Sequence, residues 1–139
     1  MAFVCILLLA CDSQTAGKGA GLNLPELKGQ WVLINYWAEW CKPCLQEIPE
    51  LNAFARDQAG KVRVFGVNFD GVEGEALKAL VQKFDIQFTV LETDPASSLE
   101  LSRPEVLPAT FVIDPEGRIA QRLIGPQTRE DLERVTALK

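Results

Sequence analysis

Two cysteines separated by two residues are the part of the chain best suited to chemistry. Cys41 and Cys44 lie where an apolar run that predicts a buried strand gives way to a helical pattern. A Cys-x-x-Cys pair at the first turn of a helix can close a small disulfide and reopen it. The sequence therefore predicts a redox centre at these two residues.

Cys41 is the better placed of the two cysteines to act as a nucleophile. The start of a helix directs unpaired N–H groups and the positive end of the helix dipole at its sulfur, which favours thiolate over thiol. Pro43 suits the first helical turn, where its missing N–H costs nothing. The apolar run 31–37 is expected to lie inside a sheet and to hold the pair at the carboxyl edge of that sheet.

Residues 35–49 resemble a known family. The segment Asn-Tyr-Trp-Ala-Glu-Trp-Cys-Lys-Pro-Cys is similar to the active-site segment of the thioredoxin superfamily. Its continuation through Glu47 and Pro49 resembles the membrane-anchored TlpA-like and ResA-like thiol-disulfide oxidoreductases found outside the bacterial cytoplasm. The similarity extends from about Leu24 to the C-terminus. It implies an α/β thioredoxin fold, in which helices flank a central mixed β-sheet, with the helical insert of the TlpA-like group.

Hydrophobic periodicity along the rest of the chain predicts elements in the order of that fold. The first two strands, joined through a helix, should be parallel. A final helix should open at a capping box formed by Thr128 and Asp131. The other predicted elements are a helix at 45–59, a strand at 62–69, a helix at 73–84, a short strand at 88–91, a short helix after residues 94–95, and a hairpin of 109–114 with 118–124.

The resemblance implies a client-binding surface beside the cysteines. Pro108 matches the family's cis-proline, which lies next to the redox disulfide and leaves the backbone of the preceding Leu107 free to pair with a substrate strand. Without the resemblance, a trans proline at the start of an edge strand is the ordinary interpretation. Trp40 is expected to form a hydrophobic lip for the docking protein.

Glu47 is the candidate for proton transfer. Where many thioredoxins have a buried aspartate, this chain has Asn35, which cannot act as a general base. Glu47 lies one turn beyond Cys44 and can share the same face of the helix. In ResA-like proteins the matching glutamate tunes the cysteine pair. The alternative is a solvated glutamate on the helix surface.

Residues 1–11 form an uncharged apolar run that is too short to span a bilayer as a helix and is typical of a secretion signal. The run ends in Leu-Leu-Ala-Cys, which resembles the lipobox of bacterial lipoproteins. That resemblance implies a signal peptide at 1–10, cleavage before Cys11 and a lipid anchor on this cysteine. No Lys or Arg precedes the run, and an ordinary buried strand is the alternative. Residues 11–23 have the composition of a flexible tether, which leaves 24–139 as the thioredoxin-like domain.

Composition excludes several classes of function. The chain has 139 residues, 47% of them hydrophobic, which suits one domain with a single core. A formal net charge of −5 argues against nucleic acid as a partner. Histidine is absent, which removes Ser-His-Asp catalysis and histidine metal sites, and one cysteine pair supplies too few ligands for zinc. We expect no metal and no cofactor beyond a redox-active Cys41–Cys44 disulfide.

The resemblance thus implies an extracytoplasmic thiol-disulfide oxidoreductase at the periplasmic face of the bacterial inner membrane. Strong oxidants owe their acidic thiol partly to a histidine between the cysteines. Residues 42–43 supply none, so the sequence favours a reductant of disulfides in client proteins. The resemblance suggests apocytochrome c or another extracytoplasmic protein as the client. A membrane thiol donor would re-reduce the oxidoreductase, and a monomer is expected. A disulfide oxidase or isomerase and a non-enzymatic binding module of the same fold are the alternatives.

Overall fold

The computed structural model of the chain describes residues 22–138. The predicted signal peptide, the predicted anchor at Cys11 and most of the predicted tether lie outside the described residues. Between residues 22 and 138, no helix is both long enough and apolar enough to cross a membrane.

A five-stranded mixed sheet forms the centre of the molecule, in the order β3-β2-β1-β4-β5. The first three strands are parallel to one another, and β4 runs antiparallel to both β1 and β5. β1 lies between β2 and β4 and is buried from its second residue onward. This burial agrees with its nearly continuous apolar sequence. The strands are β1 (Trp31–Trp37), β2 (Val62–Asn68), β3 (Thr89–Leu91), β4 (Ala109–Ile113) and β5 (Ile119–Ile124).

In the described part of the chain, three α-helices flank the sheet, and a short 3-10 turn at Leu24–Leu27 precedes it. The helices are α1 (Lys42–Asp57), α2 (Gly74–Lys83) and α3 (Arg129–Thr136). The predicted order of strands and helices is confirmed except for one short helix between β3 and β4. Helix α1 begins three residues before the predicted helix, because Cys41 is its N-cap residue and Pro43 occupies its first turn. The predicted capping box at Thr128 and Asp131 opens α3.

Side chains of β1 alternate between two hydrophobic clusters, one on each face of the sheet. The first cluster contains Leu33 and Trp37 together with apolar residues of all three helices, among them Leu51 of α1, Leu77 of α2 and Leu132 of α3. The second contains Ile34 and Tyr36 with Phe111 of β4, covered by Leu24, Leu27, Ala96 and Leu101. Helix α1, which carries the cysteines, is therefore fixed to the central strand by its buried face.

The prediction of a short helix after residues 94–95 is wrong, because consecutive turns occupy residues 96–100. The Pro95 carbonyl accepts the backbone N–H of Leu99 at 3.0 Å as well as the Ser98 hydroxyl at 2.9 Å, so one helical turn forms. The next bond, from the Leu101 N–H to the Ala96 carbonyl at 2.8 Å, spans five residues and does not continue an α-helix. Glu100 then adopts a left-handed backbone conformation with φ of 53°, which ends the turn.

Candidate active site

The two cysteines form a disulfide where the carboxyl end of β1 passes into α1. As the N-cap residue of α1, Cys41 accepts the backbone N–H of Cys44 on its Sγ at 3.3 Å. After reduction, the same N–H would stabilise a thiolate on Cys41. Both side chains are buried, but Cys41 is 5% exposed and Cys44 only 1%. Cys41 is therefore the more accessible of the two sulfurs, and Cys44 the more shielded.

Glu47 lies three residues beyond Cys44 on α1 and is 2% exposed. The alternative of a solvated surface glutamate is therefore wrong. Its Oε1 accepts a hydrogen bond from the Asn35 Nδ2, and its Oε2 accepts the backbone N–H of Gln127 at 3.0 Å. Burial raises the pKa of Glu47 to about 7, although both hydrogen bonds act in the opposite direction. A carboxyl group with that pKa can gain or lose a proton near neutral pH.

Asn35 connects the carboxylate to the sheet. Its Nδ2 also donates to the Thr110 hydroxyl at 3.0 Å, so one buried amide joins β1 to α1 and to β4. Sequence reasoning excluded Asn35 as a base and did not identify it as a donor to Glu47. Thr110 was missed, although a hydroxyl inside the apolar strand Ala-Thr-Phe-Val-Ile was a usable signal. Gln127 acts through its backbone N–H, for which the sequence offered no signal.

The peptide bond between Leu107 and Pro108 is cis, as the resemblance predicted. Because β4 is antiparallel to β1, the start of β4 meets the carboxyl end of β1, and Ala109 pairs with Tyr36. Leu107 and Pro108 therefore lie at the same edge of the sheet as the cysteine pair. The carbonyl of Pro108 accepts the backbone N–H of Gly125 at 2.9 Å, which joins this turn to the segment after β5.

Trp40 is the most exposed large hydrophobic residue in the described part of the chain, at 66%. Its Nε1 donates a hydrogen bond to the Asp70 carboxylate at 2.9 Å, so the loop after β2 orients the exposed ring. On the other side of the motif, Glu39 accepts a hydrogen bond from Lys83 of α2 at 2.7 Å. Sequence reasoning placed Trp40 at the surface but did not identify Asp70 as its partner.

A second polar cluster holds the segment that leads to Leu107. The Tyr36 hydroxyl donates to Asp94 at 2.6 Å, and Arg103 pairs with the other oxygen of Asp94 at 2.7 Å. Arg103 also donates to the carbonyl of Phe69 at 2.8 Å. Burial and the hydrogen bond to Asp94 raise the pKa of Tyr36, so the phenol remains a donor. These contacts attach the segment to the ends of β1 and β2.

Comparisons with known proteins agree with this arrangement. Residues 10–122 match the AhpC/TSA family. The chain is 32% identical over 117 residues to the thiol-disulfide oxidoreductase ResA of Bacillus cereus, which covers 84% of this chain and 67% of that protein. Among solved structures, a secreted thiol-disulfide isomerase from Corynebacterium glutamicum superposes with a TM-score of 0.69 at 27% identity, covering 83% of this chain and 73% of that chain.

A second solved structure, the pneumococcal exposed lipoprotein thioredoxin Etrx1 from Streptococcus pneumoniae, has a TM-score of 0.68 and 26% identity. The match covers 83% of this chain and 90% of that chain. These comparisons confirm the thioredoxin fold and the resemblance to ResA-like proteins that the motif indicated.

Proposed function

Because the chain belongs to the AhpC/TSA family, we propose that it reduces disulfide bonds of client proteins outside the bacterial cytoplasm. It is a thiol-disulfide oxidoreductase with a Cys41–Cys44 pair. The direction of electron flow is the proposed part, and the observation that carries it is that Lys42 and Pro43, rather than a histidine, separate the two cysteines. The buried carboxyl of Glu47, one helical turn beyond the shielded cysteine, supplies the base for the resolving step.

The reaction begins on the dithiol form. The Cys41 thiolate, stabilised by the N–H groups at the start of α1, attacks one sulfur of a client disulfide. A bond forms between Cys41 Sγ and that sulfur, the client S–S bond breaks, and the second client sulfur leaves as a thiolate that takes up a proton. The product is a mixed disulfide between the two proteins.

Cys44 then resolves the mixed disulfide. Its thiol gives its proton to the Glu47 carboxylate, directly or through water, and the resulting thiolate attacks Cys41 Sγ. The Cys41–Cys44 bond closes and the first client sulfur leaves as a thiolate. A pKa of about 7 lets Glu47 accept that proton near neutral pH. Two electrons have passed to the client, so a membrane thiol donor must reduce the pair again.

The client-binding surface that we assign comprises Trp40, Leu107 and Pro108. Trp40 offers an exposed aromatic ring, a residue type that often dominates protein–protein contacts. Leu107 and Pro108 lie at the sheet edge that carries the cysteines, where their backbone can meet an extended client segment. A monomer suffices for this reaction, and it needs no cofactor besides the disulfide. Apocytochrome c is one client that the resemblance to ResA-like proteins suggests.

The lipid anchor on Cys11 is a separate part of the proposal. An apolar run that ends in Leu-Leu-Ala-Cys supports it, and one relative of known structure is described as an exposed lipoprotein. Metabolic labelling with a palmitate analogue should label the wild-type protein but not Cys11→Ser. An unlabelled wild-type protein in the soluble extracytoplasmic fraction would contradict the anchor.

Equilibration of the purified protein against glutathione and dithiothreitol tests the direction of electron flow. We expect a reduction potential closer to that of thioredoxin, about −270 mV, than to that of a strong periplasmic oxidant, about −120 mV. Isomerase activity is the second candidate, because one relative of known structure is described as a secreted thiol-disulfide isomerase. A pair that stays reduced in strongly oxidising glutathione buffers would make the protein an oxidase.

A further inference from the structure

Three hydrogen bonds connect Glu47 to the turn at Pro108. The Glu47 Oε2 accepts the backbone N–H of Gln127 at 3.0 Å, and the Gln127 side-chain Nε2 donates to the carbonyl of Gly125 at 3.0 Å. The backbone N–H of Gly125 then donates to the carbonyl of Pro108 at 2.9 Å. The path runs from α1 through the segment between β5 and α3 to the residue that precedes β4.

The two partners of Glu47 respond differently when it gains a proton. Asn35 has an amide that carries both donor and acceptor atoms, so it can turn and accept a hydrogen bond from a neutral carboxyl group. Gln127 presents a backbone N–H, which is a donor only. A hydrogen bond to an ionised carboxylate is about twice as strong as one to a neutral group. The contact with Gln127 therefore weakens when Glu47 is protonated.

The titratable residues one turn from Glu47 along α1 are Cys44, once it is reduced, and Glu50, whose carboxylate accepts the backbone N–H of Arg129 at 2.8 Å. From α3, which packs against α1, Arg129 contributes a guanidinium that pairs with Asp57 and Glu133. Residues 35 and 110, which approach from β1 and β4, do not titrate. Among the hydrogen bonds of residues 22–138, Glu47 is the one carboxylate that joins this path.

We propose that Gln127 is a positioning residue that couples the charge on Glu47 to the seating of a client strand at Leu107 and Pro108. The client side of this inference rests on the proposed function. A client strand that holds the Pro108 carbonyl in place also holds Gly125 and Gln127 in place. The Gln127 N–H then stays directed at Glu47, which favours the ionised carboxylate. By reciprocity, ionised Glu47 favours the docked client. Docking thus prepares the base that must take the proton of Cys44.

The first arm of the test needs no client. Backbone amide shifts of Gly125 and residue 127 are followed by NMR across neutral pH in the oxidised full chain. Both should change with the same midpoint as the Glu47 carboxyl, and Glu47→Gln should remove the change. Gln127→Ala keeps its backbone N–H but loses the bond to Gly125, so the Gly125 change should fall to less than half. Gln121→Ala, the same substitution at an exposed position of β5, should leave it intact.

The second arm compares the rate of insulin reduction with that of 2-hydroxyethyl disulfide, which has no peptide backbone to pair with the turn. The ratio of the insulin rate to the rate with the small disulfide should rise about fivefold or more as Glu47 loses its proton, both in the wild-type protein and in Gln121→Ala. In Gln127→Ala the ratio should not change with pH. The coupling would be overturned if the Gly125 amide shift did not change with pH. It would also be overturned if Gln127→Ala kept the wild-type pH profiles of both the Gly125 shift and the ratio of reduction rates. If neither disulfide is reduced, the proposed function fails, and the amide titration alone decides the coupling.

Discussion

Glu47 accepts the backbone N–H of Gln127 across 80 positions of sequence, at 3.0 Å. This contact explains how a carboxyl group can be 2% exposed and yet remain able to ionise. Burial alone would hold it neutral at neutral pH, and hydrogen bonds from Gln127 and Asn35 oppose that effect. The balance places the pKa of Glu47 at about 7, beside a cysteine that must lose a proton during turnover.

Glu47→Gln should change the pH dependence of thiol reactivity, most of all at Cys44. Gln cannot titrate, so the alkylation rate of reduced Cys44 should lose the inflection near pH 7 that the pKa of Glu47 produces. Rates measured residue by residue with a mass-resolved alkylating reagent would show it. Glu50→Gln is the matched control, since Glu50 lies on the same helix and also accepts a backbone N–H, that of Arg129 at the start of α3. If the curves of alkylation rate against pH were the same for the wild type and Glu47→Gln, Glu47 would have only a structural role.

Glu47 should also make the stability of the oxidised protein depend on pH. Its pKa is raised from a usual value of 4.5 to about 7 in the folded state. Between these values the unfolded chain has released a proton that the folded protein still holds, so stability falls as pH rises. The loss, on the order of 3 kcal/mol, is complete above pH 7. Urea unfolding should show this fall in wild type relative to Glu47→Gln, and parallel profiles would contradict the raised pKa.

Asn35→Ala should raise the pKa of Glu47 further and destabilise the protein at neutral pH. The substitution removes a hydrogen bond that favours the ionised carboxylate and leaves a buried oxygen unsatisfied, at a cost of about 1–3 kcal/mol. Thr110→Val removes the other partner of the same amide without touching Glu47 directly, and serves as the control. The midpoint pH of the Glu47 titration, followed by carboxyl NMR, should rise more in Asn35→Ala than in Thr110→Val.

Local patterns were sufficient to predict most of the fold. The strand at Trp31–Trp37, the cysteine pair after it and the capping box at Thr128 depend on residues close together in sequence, and all three are present. The segment after Pro95 was predicted as a helix and forms turns instead. One helical hydrogen bond forms there, from Leu99 to Pro95, and the left-handed conformation of Glu100 ends the turn. Hydrophobic periodicity does not detect such a residue.

The environment of the site was harder to predict. Helical spacing placed Glu47 near Cys44, but its burial depends on Gln127, Asn35 and the packing of α3 against α1, which are distant in sequence. Asp70 orients Trp40 in the same way, from a loop 30 positions away. Contacts of this kind leave no periodic signal, so the sequence indicated candidate reacting residues but not the groups that position them.

The client of this oxidoreductase should be trapped by removing the resolving cysteine. Cys44 is the shielded sulfur, 1% exposed, so Cys44→Ser removes the resolving thiol and leaves Cys41 free to attack. The variant should remain joined to its clients through Cys41, while Cys41→Ser should trap little. Adducts isolated from cells under acid quench, and absent after treatment with dithiothreitol, identify the partners.

The set of trapped proteins separates the remaining hypotheses. Recovery of proteins with a Cys-x-x-Cys-His motif would support reduction of apocytochrome c, because that motif carries the cysteines to which haem is attached. A broad set of secreted proteins with several cysteines would indicate general disulfide reduction or isomerisation instead. If neither Cys44→Ser nor Cys41→Ser traps anything above background, Cys41 does not exchange disulfides with proteins in the cell. The chain would then be a binding module that retains the fold and the cysteine pair without using them on clients.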